Sequence, residues 1–475
     1  MQIIPRALKK AVFDSISRPA PPKQSHFSQH PSRVLTVSFL GIIVAGTFLL
    51  MLPNSTVNGS ISFVDALFTA TSATCVTGLA VVDTGTTFTR FGQLVILMLI
   101  QVGGLGIMTL STFFVYLVAG RVSTLERDVV QDTIGQHSAS DLARLLKIVL
   151  LFTVAIEAVG AGLLALRFAD FFPPSQSLYL GLFHSVSAFC NAGFGLFPDN
   201  LESYREDYLV SIVVMGLIIL GGLGFIVLYD LFHNRQNLRR QYFRKLAFHT
   251  RLVMLVSSLL IVVGAALIFV LEYDGTLKEL SFGGRVLSAF FQSVTARTAG
   301  FNTLPIGSMT SAALFVVIIL MFIGGSPASC AGGIKTSTFA VLVVSILSRY
   351  RLEEDVNIFH RRIPSAIVSR AISVVFFSSL VVIIFTMAVL IAQLSGLSAV
   401  ETRGSFLNLL FEVVSAFGTV GLSTGVTPKL NDTSKLLITV TMFIGRLGPL
   451  TVALAVRGRE SAVRFKYVQE EVLIG

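Results

Sequence analysis

Four times along this chain a short apolar stretch runs into a small-residue turn containing glycine, and that recurrence narrows the possible folds more than any other feature. The stretches are SFVDALFTATSA, LYLGLFHSVSAF, RVLSAFFQSV and FLNLLFEVVSAF, and the turns are TCVTGL at 74–79, CNAGFG at 190–195, RTAGFN at 297–302 and GTVGLS at 418–423. Their glycines, Gly78, Gly193, Gly300 and Gly421, recur at intervals of roughly 110 to 120 residues, and a near-constant period of that kind means internal repetition. The register holds in detail. Ser72–Ala73, Ser187–Ala188 and Ser415–Ala416 stand in the same place before their glycines, whereas Thr295–Ala296 in the third copy stand one residue closer.

Each stretch, at about 10 to 14 residues, is too short to cross a bilayer, which takes about 20. Each follows a run that is long enough. The spanning runs are Val34 to Leu52, Phe91 to Val118, Ile148 to Leu166, Leu209 to Tyr229, Leu252 to Leu271, Ala312 to Leu347, Ala371 to Leu394 and Leu436 to Val456. The expected fold is therefore an all-α polytopic membrane protein with eight transmembrane helices, arranged as four repeats of span, re-entrant pore helix, filter loop and span around one pore. The repeats occupy 34–120, 145–232, 251–348 and 364–457, the third with an interrupted second helix, between a cytoplasmic leader 1–33 and a cytoplasmic tail 458–475. With 53% hydrophobic and 13% charged residues, the chain falls outside the range of ordinary soluble domains. A barrel would show short alternating strands instead. Three cysteines cannot form a disulfide framework, and Cys75, Cys190 and Cys330 are expected as small packing residues.

The net charge of +10 matters through its location rather than its sum, and nucleic acid is not expected as a partner. Lys and Arg are in roughly threefold excess on the side of the N terminus, which places both termini in the cytoplasm by the positive-inside rule. The leader lacks a short apolar core with a small-residue cleavage site, so it is read as retained. The basic stretch 233–251 suits lipid headgroups, a cytosolic subunit or simply the orientation rule.

Irregular backbone at membrane depth is tolerated only where protein buries it or water reaches it. Four loops gathered about one axis would aim carbonyls at a common point, and a carbonyl ring can replace the hydration shell of a monovalent cation. Glycine suits such loops because it accepts positive φ and leaves the axis open. The negative ends of the pore helices add to the attraction if they face the axis.

The four loops, together with GGSPASCAGGIKTST and MFIGRLGPLT, resemble the Trk/Ktr/HKT superfamily of potassium transporters, and most of all its Ktr membrane subunit; the likeness runs from Arg33 to the end. By this resemblance the chain is expected to begin directly with the first repeat, lacking the additional N-terminal helix pair typical of TrkH proteins. The resemblance implies a homodimer with one pore per protomer, a cytosolic nucleotide-binding regulatory ring, potassium as the transported ion and sodium as a candidate activator. It assigns the filter to Val76, Thr77 and Gly78; Asn191, Ala192 and Gly193; Thr298, Ala299 and Gly300; and Thr419, Val420 and Gly421. In this superfamily a serine at the first of these glycines goes with sodium selectivity, so four glycines favour potassium.

The sixth run is too long for one crossing: 36 residues of helix at 1.5 Å each far exceed about 30 Å of hydrocarbon. Its middle, with Gly324, Gly325, Ser326, Gly332, Gly333 and Lys335, reads as a loop between two half-helices, which the family treats as an intramembrane gate. Arg446, in the last run, is costly unless it faces water or a partner, and the resemblance places it near that gate. Glu157 is expected to meet a buried polar group or to serve transport, and Arg297 and Glu412 to brace the loops as an ion pair or to lie at the rim. No Walker loop and no catalytic constellation occur, so an enzyme is not expected. The competing function is a carrier for another solute that uses broken helices at the midplane.

Overall fold

In the computed structural model, residues 31–119, 139–234 and 246–448 are described, apart from 354, 397, 399–401 and 403. Most of the leader, the basic stretch 235–245, the end of the eighth run and the tail lie outside them. Among the described residues, fourteen helices of nine residues or more carry the fold. They are α1 (Pro31–Leu50), α2 (Phe63–Thr74), α3 (Arg90–Ala119), α4 (Ala139–Phe168), α5 (Pro174–Phe189), α6 (Tyr208–Leu223), α7 (Phe225–His233), α8 (Phe248–Leu271), α9 (Phe282–Thr295), α10 (Ser311–Phe322), α11 (Thr336–Tyr350), α12 (Ser365–Leu394), α13 (Ser405–Gly418) and α14 (Asp432–Leu447). A two-residue-per-strand hairpin, Asn357–Ile358 with Arg361–Arg362, lies between α11 and α12.

Helix starts follow from the polar residues in the loops. Ser62, Asp207, Ser281, Thr310 and Asn431 accept backbone N–H bonds at the N-termini of α2, α6, α9, α10 and α14, which satisfies donors that a first turn leaves unpaired. The four short helices α2, α5, α9 and α13 form the centre. At the corresponding place each has a fully buried phenylalanine, Phe68, Phe183, Phe291 and Phe411.

Packing closes in a circle. The helix that ends each repeat lies against the central helix of the next: α3 on α5, α6 on α9, α10 on α13, and α14 back on α2. Outside this core the polarity is inverted relative to a water-soluble protein. Leu151, Val159 and Leu166 on α4, Val262 and Val270 on α8, and Phe376, Ile383 and Ile391 on α12 are exposed, an exterior suited to hydrocarbon rather than water. Among the described residues, α8, α12 and Lys147–Phe168 of α4 are long and apolar enough to cross a membrane singly.

The run read as one straight span over 209–229 is broken. Gly224 takes φ +84°, and α6 and α7 meet there at 100°. The sixth run is interrupted between α10 and α11. α14 stops at Gly448, also with φ +84°.

Candidate functional site

The four glycine turns converge at the C-terminal ends of α2, α5, α9 and α13, and they repeat one backbone pattern. Val76, Asn191, Thr298 and Thr419 adopt φ of 54°, 59°, 73° and 48°, and two residues later Gly78, Gly193, Gly300 and Gly421 adopt 95°, 69°, 79° and 92°. A β-branched residue in the left-handed region is a true outlier. Here three of the four are β-branched, and such strain persists only where the surroundings enforce it.

The enforcing contacts are repeated too. Ser72 Oγ donates to Leu79 O at 2.8 Å and accepts from Gly78 N at 3.1 Å; Ser187 Oγ donates to Phe194 O at 2.8 Å; Ser415 Oγ accepts from Gly421 N at 3.1 Å. Thr77 N, Ala192 N and Val420 N donate to the carbonyls of those same serines. The third turn shows how one residue can be missing. Thr295 takes the place of the serine, its hydroxyl donating to Phe301 O at 2.6 Å, and Ala299 N closes a tighter turn onto Thr295 O.

The turns touch in cyclic order. A Cβ on Gly78 would lie 2.4 Å from Ala192 O, on Gly193 2.8 Å from Ala299 O, on Gly300 2.5 Å from Val420 O, and on Gly421 2.1 Å from Thr77 O. All four distances are shorter than real side chains tolerate, so glycine is required by space as well as by φ. The twelve residues assigned to the filter from the sequence are thus brought together, four glycines facing four neighbouring carbonyls.

On the N-terminal side of α11 the loop of the broken run folds under these turns. Gly324 N donates to Ile334 O and Ile334 N to Phe322 O, which pins the loop's two ends together. The loop then docks into the break of α6 and α7. Ser326 N donates to Gly222 O, Cys330 N to Gly221 O, and Phe225 N to Ala328 O, while Ser326 Oγ donates to Leu223 O. A Cβ on Gly224 would meet Pro327 O at 2.7 Å and Ala328 O at 2.9 Å. The bend therefore exists to free backbone groups of one repeat for the loop of another. Gly332 lies beside Thr419, and Gly325 beside Gly222.

Three cationic side chains donate to carbonyls of this loop. Arg446 donates to Cys330 O and, at 3.0 Å, to Gly103 O. Lys335 Nζ donates to Ala331 O at 2.6 Å, and Arg297 donates to Ser257 O, Ser257 Oγ and, at 3.5 Å, to Gly324 O. The ion pair expected between Arg297 and Glu412 does not form, and neither residue lies at the rim. Glu412 instead accepts from Ser423 Oγ at 2.6 Å, Thr424 N at 3.0 Å and Thr427 Oγ1 at 2.7 Å, holding the segment just after Gly421. Glu157 accepts both bonds from the Gln101 amide at 3.1 and 3.2 Å.

A further repeated element was missed by sequence reading. Gly103, Gly221 and Gly445 press against the last carbonyls of the central helices: a Cβ on them would lie 1.9, 1.8 and 1.9 Å from Thr74 O, Phe189 O and Phe417 O. The signal was present as GGLG at 103–106, GGLG at 221–224, GGSP at 324–327 and GRLG at 445–448. The second position of that motif is Gly104, Gly222, Gly325 and Arg446, so one repeat out of four places a charge where the others have no side chain.

The model of the TrkH family, described as cation transport proteins, matches residues 10–467. The chain belongs to the TrkH family. Among TrkH-like relatives, the Ktr system potassium uptake protein B of Bacillus subtilis is 41% identical over 94% of this chain and 97% of its own length, and its namesake in Vibrio alginolyticus is 40% identical over 93% and 94%. The potassium/sodium uptake protein NtpJ of Enterococcus hirae is 36% identical over 94% and 97%. The potassium transporter TrkH from Vibrio parahaemolyticus shares the fold, with a TM-score of 0.72 at 19% identity over 92% of this chain and 86% of that one. Membership in a family of cation transporters makes this a transport protein rather than an enzyme.

Proposed function

We propose that the chain is the ion-translocating subunit of a Ktr-like potassium uptake system in the cytoplasmic (inner) membrane, and that potassium passes along the axis enclosed by the four glycine turns. The observation that carries the reading is the cyclic contact of Gly78, Gly193, Gly300 and Gly421 with the carbonyls of Ala192, Ala299, Val420 and Thr77. Those oxygens, with the negative ends of four helices behind them, would replace the water around a monovalent cation. The carbonyls of Val76, Asn191, Thr298 and Thr419 would extend the filter by one residue. The chain would cross the membrane eight times, as the four repeats 34–120, 145–232, 251–348 and 364–457, with both termini cytoplasmic.

The loop containing Gly324, Gly325, Ser326, Gly332, Gly333 and Lys335, with Arg446, would be the gate: a fixed positive charge and a loop beneath the filter raise the barrier to a cation, and movement of the loop lowers it. A gate needs a ligand that prefers one state. The names of the Ktr-system relatives support a partner subunit, which we take to be a cytosolic nucleotide-binding ring acting on a homodimer, and the potassium/sodium relative supports sodium as an activator. Growth rescue of a potassium-uptake-deficient cell at low potassium, with and without sodium, tests the reading. Absence of rescue at confirmed membrane insertion, with uptake of another solute, would turn it to a carrier.

A further inference from the structure

Two cysteines meet beneath the ring. Cys190 caps α5 immediately before Asn191, and Cys330 lies inside the loop between α10 and α11; both are free and buried. A side chain on Gly104 would begin 2.9 Å from Cys190 Sγ and 3.7 Å from Cys330 Sγ, so the two sulfurs flank one point that only a glycine leaves open. Cys190 Sγ donates to Gln101 Oε1 at 3.6 Å and Glu157 Oε1 at 3.9 Å. The two thiols belong to parts of opposite character. One sits at the end of a central helix packed into the core, the other on a loop held by backbone bonds to Gly221, Gly222 and Phe225, by Ser326 Oγ, and by Arg297 and Arg446.

We propose that Cys190 and Cys330 are a dithiol that a peroxide oxidises to a disulfide, tying the loop to the second central helix and closing the ion path. The closure rests on the gate reading given above; the pairing does not. One thiol attacks an oxygen of the peroxide, the O–O bond breaks, and a sulfenic acid and water result. The second sulfur then attacks the sulfenic sulfur, the hydroxyl leaves with the second thiol's proton as water, and the S–S bond forms. Two thiols lose two electrons and the peroxide gains them. Hydrogen peroxide is small and uncharged and can follow the water that accompanies an ion. Cys75 occupies the place of Cys190 in the first repeat but is not one of the two sulfurs at Gly104, so it serves as an internal comparison.

The test uses the full chain in liposomes, treated with hydrogen peroxide, with rubidium flux and thiol alkylation followed by peptide mass spectrometry read on the same sample. Free thiols are expected to fall from the three present to Cys75 alone. A linked peptide pair should carry Cys190 and Cys330, and flux should be lost and then restored by dithiothreitol. Cys190→Ser and Cys330→Ser are expected to keep their flux under peroxide, and Cys330→Ala replaces either variant that inserts poorly. Absence of the linked pair overturns the proposal whatever the flux does. Inhibition that persists in the Cys330 variants overturns it by placing the sensitive group elsewhere. A linked pair with undiminished flux overturns the closure and with it the gate reading.

Discussion

Replacing Gly421 with alanine tests whether the ring is held at atomic tolerance. The new Cβ would sit 2.1 Å from Thr77 O and 2.9 Å from Gly78 Cα, against an ordinary contact of 3.4 Å or more, so the first turn must retreat by more than 1 Å. The φ of +92° adds strain of about 1–3 kcal/mol for a residue with a side chain. The atom displaced is a carbonyl oxygen in the ring itself, so the cost falls on the proposed ion path rather than being absorbed elsewhere. A penalty of that size on the barrier corresponds to roughly a fivefold to 150-fold loss of flux, together with weaker discrimination of potassium from sodium. The assay is rubidium uptake in liposomes per inserted molecule, with sodium competition. Gly162→Ala is the comparison: it also lies in the described part of the fold, on α4, but its Cβ would meet nothing within 4 Å, and its flux should be unchanged. Parental flux and selectivity in a normally inserted Gly421→Ala protein would refute the reasoning.

Arg446→Ala removes the fixed charge and the bond to Cys330 O, and should raise potassium flux and reduce its dependence on a cytosolic partner; flux at the parental level in a stable variant counts against a gate. Gly224→Ala forces a side chain onto Pro327 O and Ala328 O; it should loosen the loop, seen as faster protease cleavage between α10 and α11, and an unchanged cleavage rate would show that the docking is dispensable. Glu412→Ala leaves Ser423, Thr424 N and Thr427 without their acceptor, a loss of about 1–3 kcal/mol that should lower the melting temperature in detergent by several degrees, whereas an unaltered midpoint would mean that water replaces the carboxylate at no cost.

The sequence made the four turns legible because each of their demands is local: a small residue at a fixed place, a glycine where φ is positive, a hydroxyl one turn earlier. Even the irregular third copy follows, once Thr295 is seen to bond Phe301 O across a shorter span. What the sequence hid depends on neighbours. Gly224 lies in a run so apolar that hydropathy reads it as continuous, and its bend makes sense only with the loop of the next repeat against it. Arg297 and Glu412 carry opposite charges beside adjacent turns, which invites pairing by sign. Yet each finds partners within reach of its own repeat first, Glu412 in the segment 423–427 and Arg297 in Ser257 and Gly324.

The ring closes between the first quarter of the chain and the last. Arg446 reaches Gly103 O across 343 residues, Lys435 reaches Asp65 across 370, and Gly421 fits against Thr77. At a synthesis rate of about 5–20 residues per second, the first turn waits tens of seconds before the segment that completes its surroundings exists. During that interval the first turn has only one of its two neighbours in the circle, the second turn. The ring is not inherited from any single repeat, and a ribosome that stops one repeat early leaves it open between the third turn and the first.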